Sequence, residues 1–453
     1  MLIGCLAGIT FLAGCGGGDQ PSLAIPTELV VDQSAQNLSV ESVEEQPQQD
    51  LVLEPELLPL TTDFIRPVPL PIRATQSTIP AGAVFDGEEQ PDYRRPRLEQ
   101  PNGLWLTRVT DDAQFGTESG RATHAYSRRQ VWNADESLML VGGRVLDAKT
   151  NQILFDDIPL SSERIWANTH PSIMYGIRFD PLRTVFGYWN ITDEVFTELH
   201  RFDEFSACSF GEGEGNFSND DRYVVISCWS DGAPFPTLIS YDVHDNKELA
   251  RLDGAQDLNW ASISQSGNYI VVENNSESRE ELLSYNRFLQ EPRVLIDDRD
   301  HGDLGIDENG DDVFVMIGNL HISYIRLRDG QIIRLPLSTG EQPLGFGHVS
   351  CRNLNRPGWC YISAFNRFLI GAVRIHWDST GNTTMDNSGQ SVQSGVAEFE
   401  AWGSHRSTAS TYFATMRASA SPSGNRIAFA SDWFGRGEIA TYTLQYEPPE
   451  FTN

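Results

Sequence analysis

Ala420-Ser421-Pro422-Ser423-Gly424-Asn425 stands directly ahead of the apolar run Ile427 to Ala430. The order is a small or apolar anchor, a turn of Ser, Asp, Asn or Gly, and then a short apolar strand. It returns at Trp132 to Ser137 before Leu138 to Val141, and at Phe217 to Arg222 before Tyr223 to Ile226. Ile263 to Asn268 precedes Tyr269 to Val272 in the same way, and Ile306 to Gly310 precedes Val313 to Met316. Two irregular copies, Trp166 to Ser172 before Met174 to Ile177 and Cys351 to Gly358 before Cys360 to Ser363, bring the cycles to seven. The anchors are spaced 34 to 51 residues apart, except for a last step of 69. One four-stranded antiparallel blade has this length, and its repetition marks a β-propeller.

Intervening strands fit at Thr237 to Val243, Ile322 to Leu327 and Ala372 to Trp377, and no stretch keeps a helical period for three turns. The expected fold is therefore all-β: a single seven-bladed β-propeller over residues 100–447, with a disordered N-terminal tether before it and a short tail over 448–453. The long last step contains Asp378 to Ser394, a polar stretch read as an inserted surface loop. The final blade runs out of chain, and Leu104 to Val109 is expected to supply its outer strand, removing the exposed edges.

The 453 residues carry 63 acidic and 33 basic side chains, a formal charge of -30. That balance excludes nucleic acid as a general partner and opposes adhesion to an anionic membrane surface. Lys149 and Lys247 are the only lysines, so positive charge is nearly all arginine.

At the N terminus an apolar run from Leu2 to Ala13 ends at Leu12-Ala13-Gly14-Cys15. It is too short for a spanning helix and resembles a bacterial lipoprotein signal peptide, which implies removal of residues 1–14 and lipidation of Cys15. From Gly16 to Phe64 there are ten acidic residues, no basic one and no sustained period, so residues 15–99 read as a flexible acidic, Pro-rich tether. Pro67, Pro69 and Pro71 suggest extended chain laid along the domain surface.

The repeated Ser-x-Ser/Asp-Gly turns resemble those of exported TolB-like and WD40-like propellers over about residues 101–446. The resemblance implies a periplasmic or surface-exposed, lipid-anchored location in a bacterial envelope. With Cys5 and Cys15 assigned to the N-terminal segment, Cys208, Cys228, Cys351 and Cys360 remain. Four thiols pair in three ways, of which the sequence-local pairs Cys208 with Cys228 and Cys351 with Cys360 are the simplest. Zinc is the alternative, but neither pair has Cys-x-x-Cys spacing and an exported chain favours disulfides.

The position three before each anchor should approach one rim of the central channel. These positions are Arg129, Glu163, Glu214, Trp260, Asp303, His348 and Arg417, six of the seven being ionisable. His124, Tyr126, Arg352, His405 and Arg406 lie nearby in sequence. Together they have the composition of a polar-ligand cleft. The competing reading is that each one fixes the ring through hydrogen bonds. Asp303 with Glu212, Glu214 or His348 could hold a divalent cation such as Ca2+, although no ligand set is singled out. Gly211 to Gly215 is no phosphate loop, because it precedes a strand and is acidic.

Two functions stand open. One is a ligand-binding or protein/glycan interaction module that displays the rim to a glycan or an envelope protein. The other is a polysaccharide lyase acting on a uronate-containing glycan. The arrangement looks like that of oligogalacturonate and ulvan lyase propellers, which implies Arg129 and Arg417 on the uronate carboxylate and His124, His348 and Tyr126 in proton transfer. If the signal is read correctly, mass spectrometry of the native mature protein will find its first residue at Cys15 with an acyl mass increment. An unlipidated terminus elsewhere removes the anchor.

Overall fold

The computed structural model describes residues 64–71, 75–76, 78, 89–99, 102–116 and 122–449, apart from short gaps at 162, 181–182, 277–278, 297–300, 337–342, 378–382 and 386–390. Cys15, the signal segment and most of the tether lie outside the described residues. The remainder forms seven sheets, antiparallel but for one added strand in the fifth. The first blade is the Trp132 bridge with 138–141, 144–147 and 153–155, and the second is 164–166, 173–180, 183–190 and 195–202. The third comprises 207–210, 223–229, 237–242 and 247–252, and the fourth 258–263, 269–276, 279–286 and 293–296. The fifth opens with 301–306, 312–317, 321–326 and 332–336, and the sixth is 347–350, 359–364, 369–376 and 396–404. In the seventh, 419–420, 426–431 and 440–445 are completed by 104–108 and edged by 97–99. The α-helix among the described residues is the four-residue Asp112–Phe115.

Alternation along each strand sends neighbouring side chains to opposite faces, so every blade feeds two interfaces. Ile226 joins the cluster shared with the second blade, whereas Val225 and Leu238 join the one shared with the fourth. Among the described residues seven such clusters occur, one per junction. The one between the last and first blades brings Ala428 against Trp132, Met139 and Val141.

The repeated turns also bolt the blades together. Asp221 accepts hydrogen bonds from the Asn168 and Thr169 amides of the preceding blade at 2.8 and 2.7 Å. Asp312 does the same for the Ser266 amide at 3.0 Å, and Glu136 receives the Ser423 amide at 2.6 Å across the closing junction. Each bond satisfies a turn donor that a packed interface would otherwise strand.

Leu104–Arg108 is indeed the outer strand of the last sheet, pairing Leu106 with Leu444 and Arg108 with Tyr442. Both expected disulfides are present within single blades. Cys208 and Cys228 face each other on adjacent strands, and Cys351 meets Cys360 with Cα atoms 4.4 Å apart. Two disulfides mark a protein of an oxidising, extracytoplasmic compartment. No helix among the described residues is long and apolar enough to cross a membrane.

Two expectations are corrected. The inserted stretch is not simply a loop: 383–385 and 391–394 form a hairpin whose second strand lies parallel to 332–336 and widens the fifth blade to six strands. Val392 makes this possible, because it is buried in the interface of the fourth and fifth blades. In addition, the packed chain reaches upstream of residue 100. Glu99 forms a buried ion pair with Arg406, and the Asn355 and Asn425 side chains donate to the carbonyls of Pro67 and Val68.

The closing strand yields a direct test. Leu106 is fully buried against the sixth and seventh blades, so Leu106→Ala should lower unfolding stability by about 2–5 kcal/mol. Leu98→Ala, at a half-exposed edge position, should change it little. Denaturant unfolding followed by tryptophan fluorescence checks both, and an unchanged midpoint for Leu106→Ala contradicts closure by this strand.

Candidate functional site

The innermost strands all start at one end of the ring, and the groups gathered there come from six blades. From the first blade, Tyr126 packs its ring edge-on against His348 of the sixth at 5.0 Å, and His348 lies 5.1 Å from His301 of the fifth. Arg128 is wedged over the Trp260 indole at 4.1 Å. Its guanidinium meets Glu273 at 3.1 Å and Glu214 at 3.6 Å, and its Nε donates to the Gly302 carbonyl at 2.5 Å. Arg129 turns the other way, bonding Glu163 at 2.7 Å and the carbonyls of Gly213 and Gly215 at 2.7 and 2.8 Å. The glycines matter here. Gly211 sits at φ 54°, and a Cβ on it would strike the Ala261 carbonyl oxygen at 1.7 Å, so the chain can dip into the channel only without a side chain.

The offset-three positions thus do surround the channel, but most of them serve the ring. Glu163 is engaged by Arg129. Asp303 is fully buried, takes the Cys351 amide at 2.7 Å and meets Arg352 Nε at 3.1 Å. Trp260 is the floor beneath Arg128. Glu214 keeps about a quarter of its side chain in solvent, yet the surrounding wall pushes its carboxyl up to about 7 against the lowering effect of Arg128 and Arg129.

His405 and Arg406, expected among the ligand-binding groups, are structural instead. His405 Nε2 lies 3.2 Å from the Ala364 carbonyl while its Nδ1 accepts the Ser407 amide at 3.0 Å. Arg406 stacks 4.9 Å from the Trp433 ring and pairs with Glu99. His405 packs on the Phe368 ring at 5.4 Å and the Arg406 carbonyl accepts the Phe434 amide, so both are used up between the turns of the sixth and seventh blades, which nearness in sequence alone cannot reveal.

Arg417 differs from the other buried arginines. Arg128, Arg129, Arg352, Arg356 and Arg406 each meet a carboxylate. Arg417 is 3% exposed and has no carboxylate within ion-pair distance among the described residues. Its Nη2 donates to the Phe413 carbonyl at 3.0 Å and approaches the Thr123 hydroxyl at 3.3 Å. The Tyr412 ring lies 5.0 Å from the guanidinium and is itself 56% exposed. Arg417 also adopts φ 29°, a positive value that is strained for a residue bearing a Cβ.

The histidines beside it are neutral. His124 donates from Nε2 to the Arg417 carbonyl at 2.7 Å, leaving Nδ1 unpartnered, and burial with the nearby guanidinium lowers its pKa to about 3. Burial, His301 and Arg417 hold His348 well below its ordinary value, and its Nδ1 also lacks a partner. Burial raises the Tyr126 phenol well above 10, so it stays protonated. No group of three His, Cys, Asp or Glu among the described residues is placed to hold a metal ion, so the expected Ca2+ site finds no support in this geometry.

Glu273 and Phe346 belong to this end of the ring without having been singled out. Glu273 lies on a second strand, where the anchor offset does not reach. Phe346 stands two residues ahead of His348, the one signal that could have found it.

No family model matches the sequence, and a search of curated proteins likewise finds no match. Solved structures do match. An oligogalacturonate lyase in complex with manganese aligns with a TM-score of 0.51 at 11% identity, covering 78% of this chain and 95% of that one. The oligogalacturonate lyase of Vibrio parahaemolyticus gives 0.50 at 11% identity over 78% and 96%. TolB from Acinetobacter baumannii gives 0.33 at 14% identity over 68% and 76%. At these identities the likeness is one of fold, and the chain is similar in architecture to oligogalacturonate lyase propellers.

Proposed function

We propose that the rim binds a carboxylate-bearing glycan, with Arg417 as the anion-binding group, and that the protein is an envelope-anchored recognition module. Arg417 carries this reading, as a buried cation with no carboxylate in ion-pair contact among the described residues, Tyr412 bonding it and Glu214 acting on it only from farther off. Such a group is costly unless something pairs with it, and every comparably placed arginine with described contacts has its carboxylate. A uronate carboxylate accepts two parallel N–H bonds from a guanidinium and supplies the missing charge. Tyr412 is exposed while its ring lies against the buried Arg417, so it stands between that guanidinium and solvent. The overall charge of -30 repels polyanions at long range, which makes recognition local and short-ranged.

Elimination on the same glycan is the second reading, favoured by the neutral His348 beside Arg417 with Nδ1 open. The imidazole would take the C5 proton, the electron pair would form the C4–C5 double bond, and the C4–O bond would break to a protonated leaving oxygen. The burial that keeps His348 neutral also makes it a weak base, and the high pKa of Tyr126 suits it to donate rather than accept a proton. Binding without turnover is therefore the reading we retain. No step is assigned to a metal ion.

Calorimetric titration with galacturonate and its oligomers, alongside ultraviolet detection of unsaturated product, tests the pair of readings. Arg417→Met should weaken uronate binding at least about tenfold, with Arg417→Lys intermediate because it keeps charge without the planar fork. Binding without product supports the receptor, product abolished by His348→Ala supports the lyase, and no binding by the folded protein overturns the anion site.

Acidity gives a second check. Glu214 competes with a bound carboxylate when ionised, and Arg128, Arg129, Glu273 and Arg417 surround it. Its carboxyl titrates near 7, so lowering the pH from about 8 to about 6 removes repulsion and should tighten binding. Glu214→Gln should bind more tightly at the higher pH and lose most of this dependence. An unchanged pH profile in that variant contradicts the assignment.

A further inference from the structure

Outward from Arg417 and His348, the cleft between the sixth and seventh blades is lined by rings. Phe346 and Phe365 stack with centroids 4.5 Å apart and planes at 19°. Phe365 leads to Phe368 at 6.3 Å, and Phe368 crosses to Phe434 of the seventh blade at 5.5 Å. Register fixes which cleft this is. His348 pairs with Ser363 and Gly347 with Ala364, so His348 shares one face with Ser350 and Ser363, while Phe346 stands just before the strand with its carbonyl accepting the Phe365 amide at 3.0 Å. Those two serine hydroxyls accept the Ala420 and Ala418 amides of the seventh blade at 3.3 and 3.5 Å. Arg417, next to Ala418 in the chain, therefore stands beside the same cleft.

Two further observations separate this row from ordinary core. Phe346 is 41% exposed although it stacks on a neighbour. Phe368 and Phe434 adopt φ 49° and 60°, a region in which bulky side chains are strained and glycine would relieve the turn. Strained aromatic residues in two separate blades meet face to edge at one place, at the mouth of a cleft that ends on an unpaired guanidinium.

We propose that this row is a stacking track for further sugar rings of the same acidic glycan, with Phe346 as the first platform beyond the Arg417 site. Sugar rings offer C–H faces to an aromatic plane and hydroxyls to polar surroundings, so they suit rings that begin beside an arginine and two histidines. Phe346 stands two residues ahead of His348, just before strand 347–350, so at most roughly 7 Å of chain separates them, a step comparable with one sugar unit. The proposal rests on the anion-binding reading of Arg417 and specifies its ligand as an oligomer rather than a single acid.

The test is affinity against chain length, using galacturonate, its dimer to tetramer, and neutral cello-oligosaccharides of matching length. The wild-type protein should gain about tenfold in affinity from monomer to trimer, the increment of a well-placed aromatic contact. Phe346→Ala should abolish that gain while leaving monomer affinity and the unfolding midpoint unchanged, and Phe346→Trp should keep it. Monomer binding with no length dependence, or length dependence that survives Phe346→Ala, overturns the track and leaves the Arg417 reading standing. Neutral oligomers binding through Phe346 while no uronate binds overturn the Arg417 reading and, with it, the track as one for an acidic glycan. Absence of binding at every length overturns both.

Discussion

The pairing of Leu104–Arg108 with Ala440–Gln445 is the constraint on which the rest of the molecule depends. A ring of sheets that failed to close would expose two hydrophobic faces and two strand edges, and neighbouring blades would lose the clamp that keeps them in register. Closure also assembles the rim. Thr123, His124 and Tyr126 follow the closing strand within some twenty residues, while Arg417 stands at the start of the final blade. His124 donating to the Arg417 carbonyl, and Ser419 donating to the Arg129 carbonyl at 2.8 Å, tie the two ends of the chain together at the channel.

Inside that channel the governing problem is charge. Seven inward-facing strand starts crowd polar groups into a space with little water, and unpaired ions there are expensive. Most of the wall solves this internally, through Arg129 with Glu163, Arg128 with Glu273, and Arg352 with Asp303. These pairs hold adjacent blades at fixed distances, and they take candidate ligand groups out of play. The exception at Arg417 is informative because the rule around it is so consistently kept.

The two ends of the ring are dissimilar. At one end short turns bolt blade to blade, and the Pro-rich residues 67–70 lie over the turns at Asn355 and Asn425. At the other, longer connections such as 405–418 carry Tyr412, Phe413 and Arg417 to the rim, and exposed aromatic residues accumulate. Unpartnered buried polar atoms occur at both ends, on Asn219, Asp307 and Asn353 among the turns and on His124 and His348 at the rim, but the rim adds the buried Arg417 and the exposed rings of Tyr412 and Phe346. That asymmetry is the physical basis for placing recognition at the rim.

Blade number, the closing strand and both disulfides were legible in the sequence because each is a local or periodic signal. A turn of fixed grammar precedes each second strand, an apolar strand such as Leu104 to Arg108 is left without a partner, and cysteines on adjoining strands must meet if the strands pair. Even the ring of positions three before each anchor was readable, since every blade repeats one geometry. What tertiary structure alone decided is which of those side chains are consumed by one another. Arg129 and Arg417 occupy equivalent positions, yet one is in ion-pair contact with Glu163 and the other has no carboxylate at that distance among the described residues, and that difference depends on the neighbouring blade's contents. His405 and Arg406 look like ligand groups in sequence but are consumed between the turns of the sixth and seventh blades, against Phe368, Trp433 and Glu99. Phe346, Phe365, Phe368 and Phe434 become one row only when the sixth and seventh sheets pack, because residues nearly ninety positions apart share a cleft through the closure of the ring.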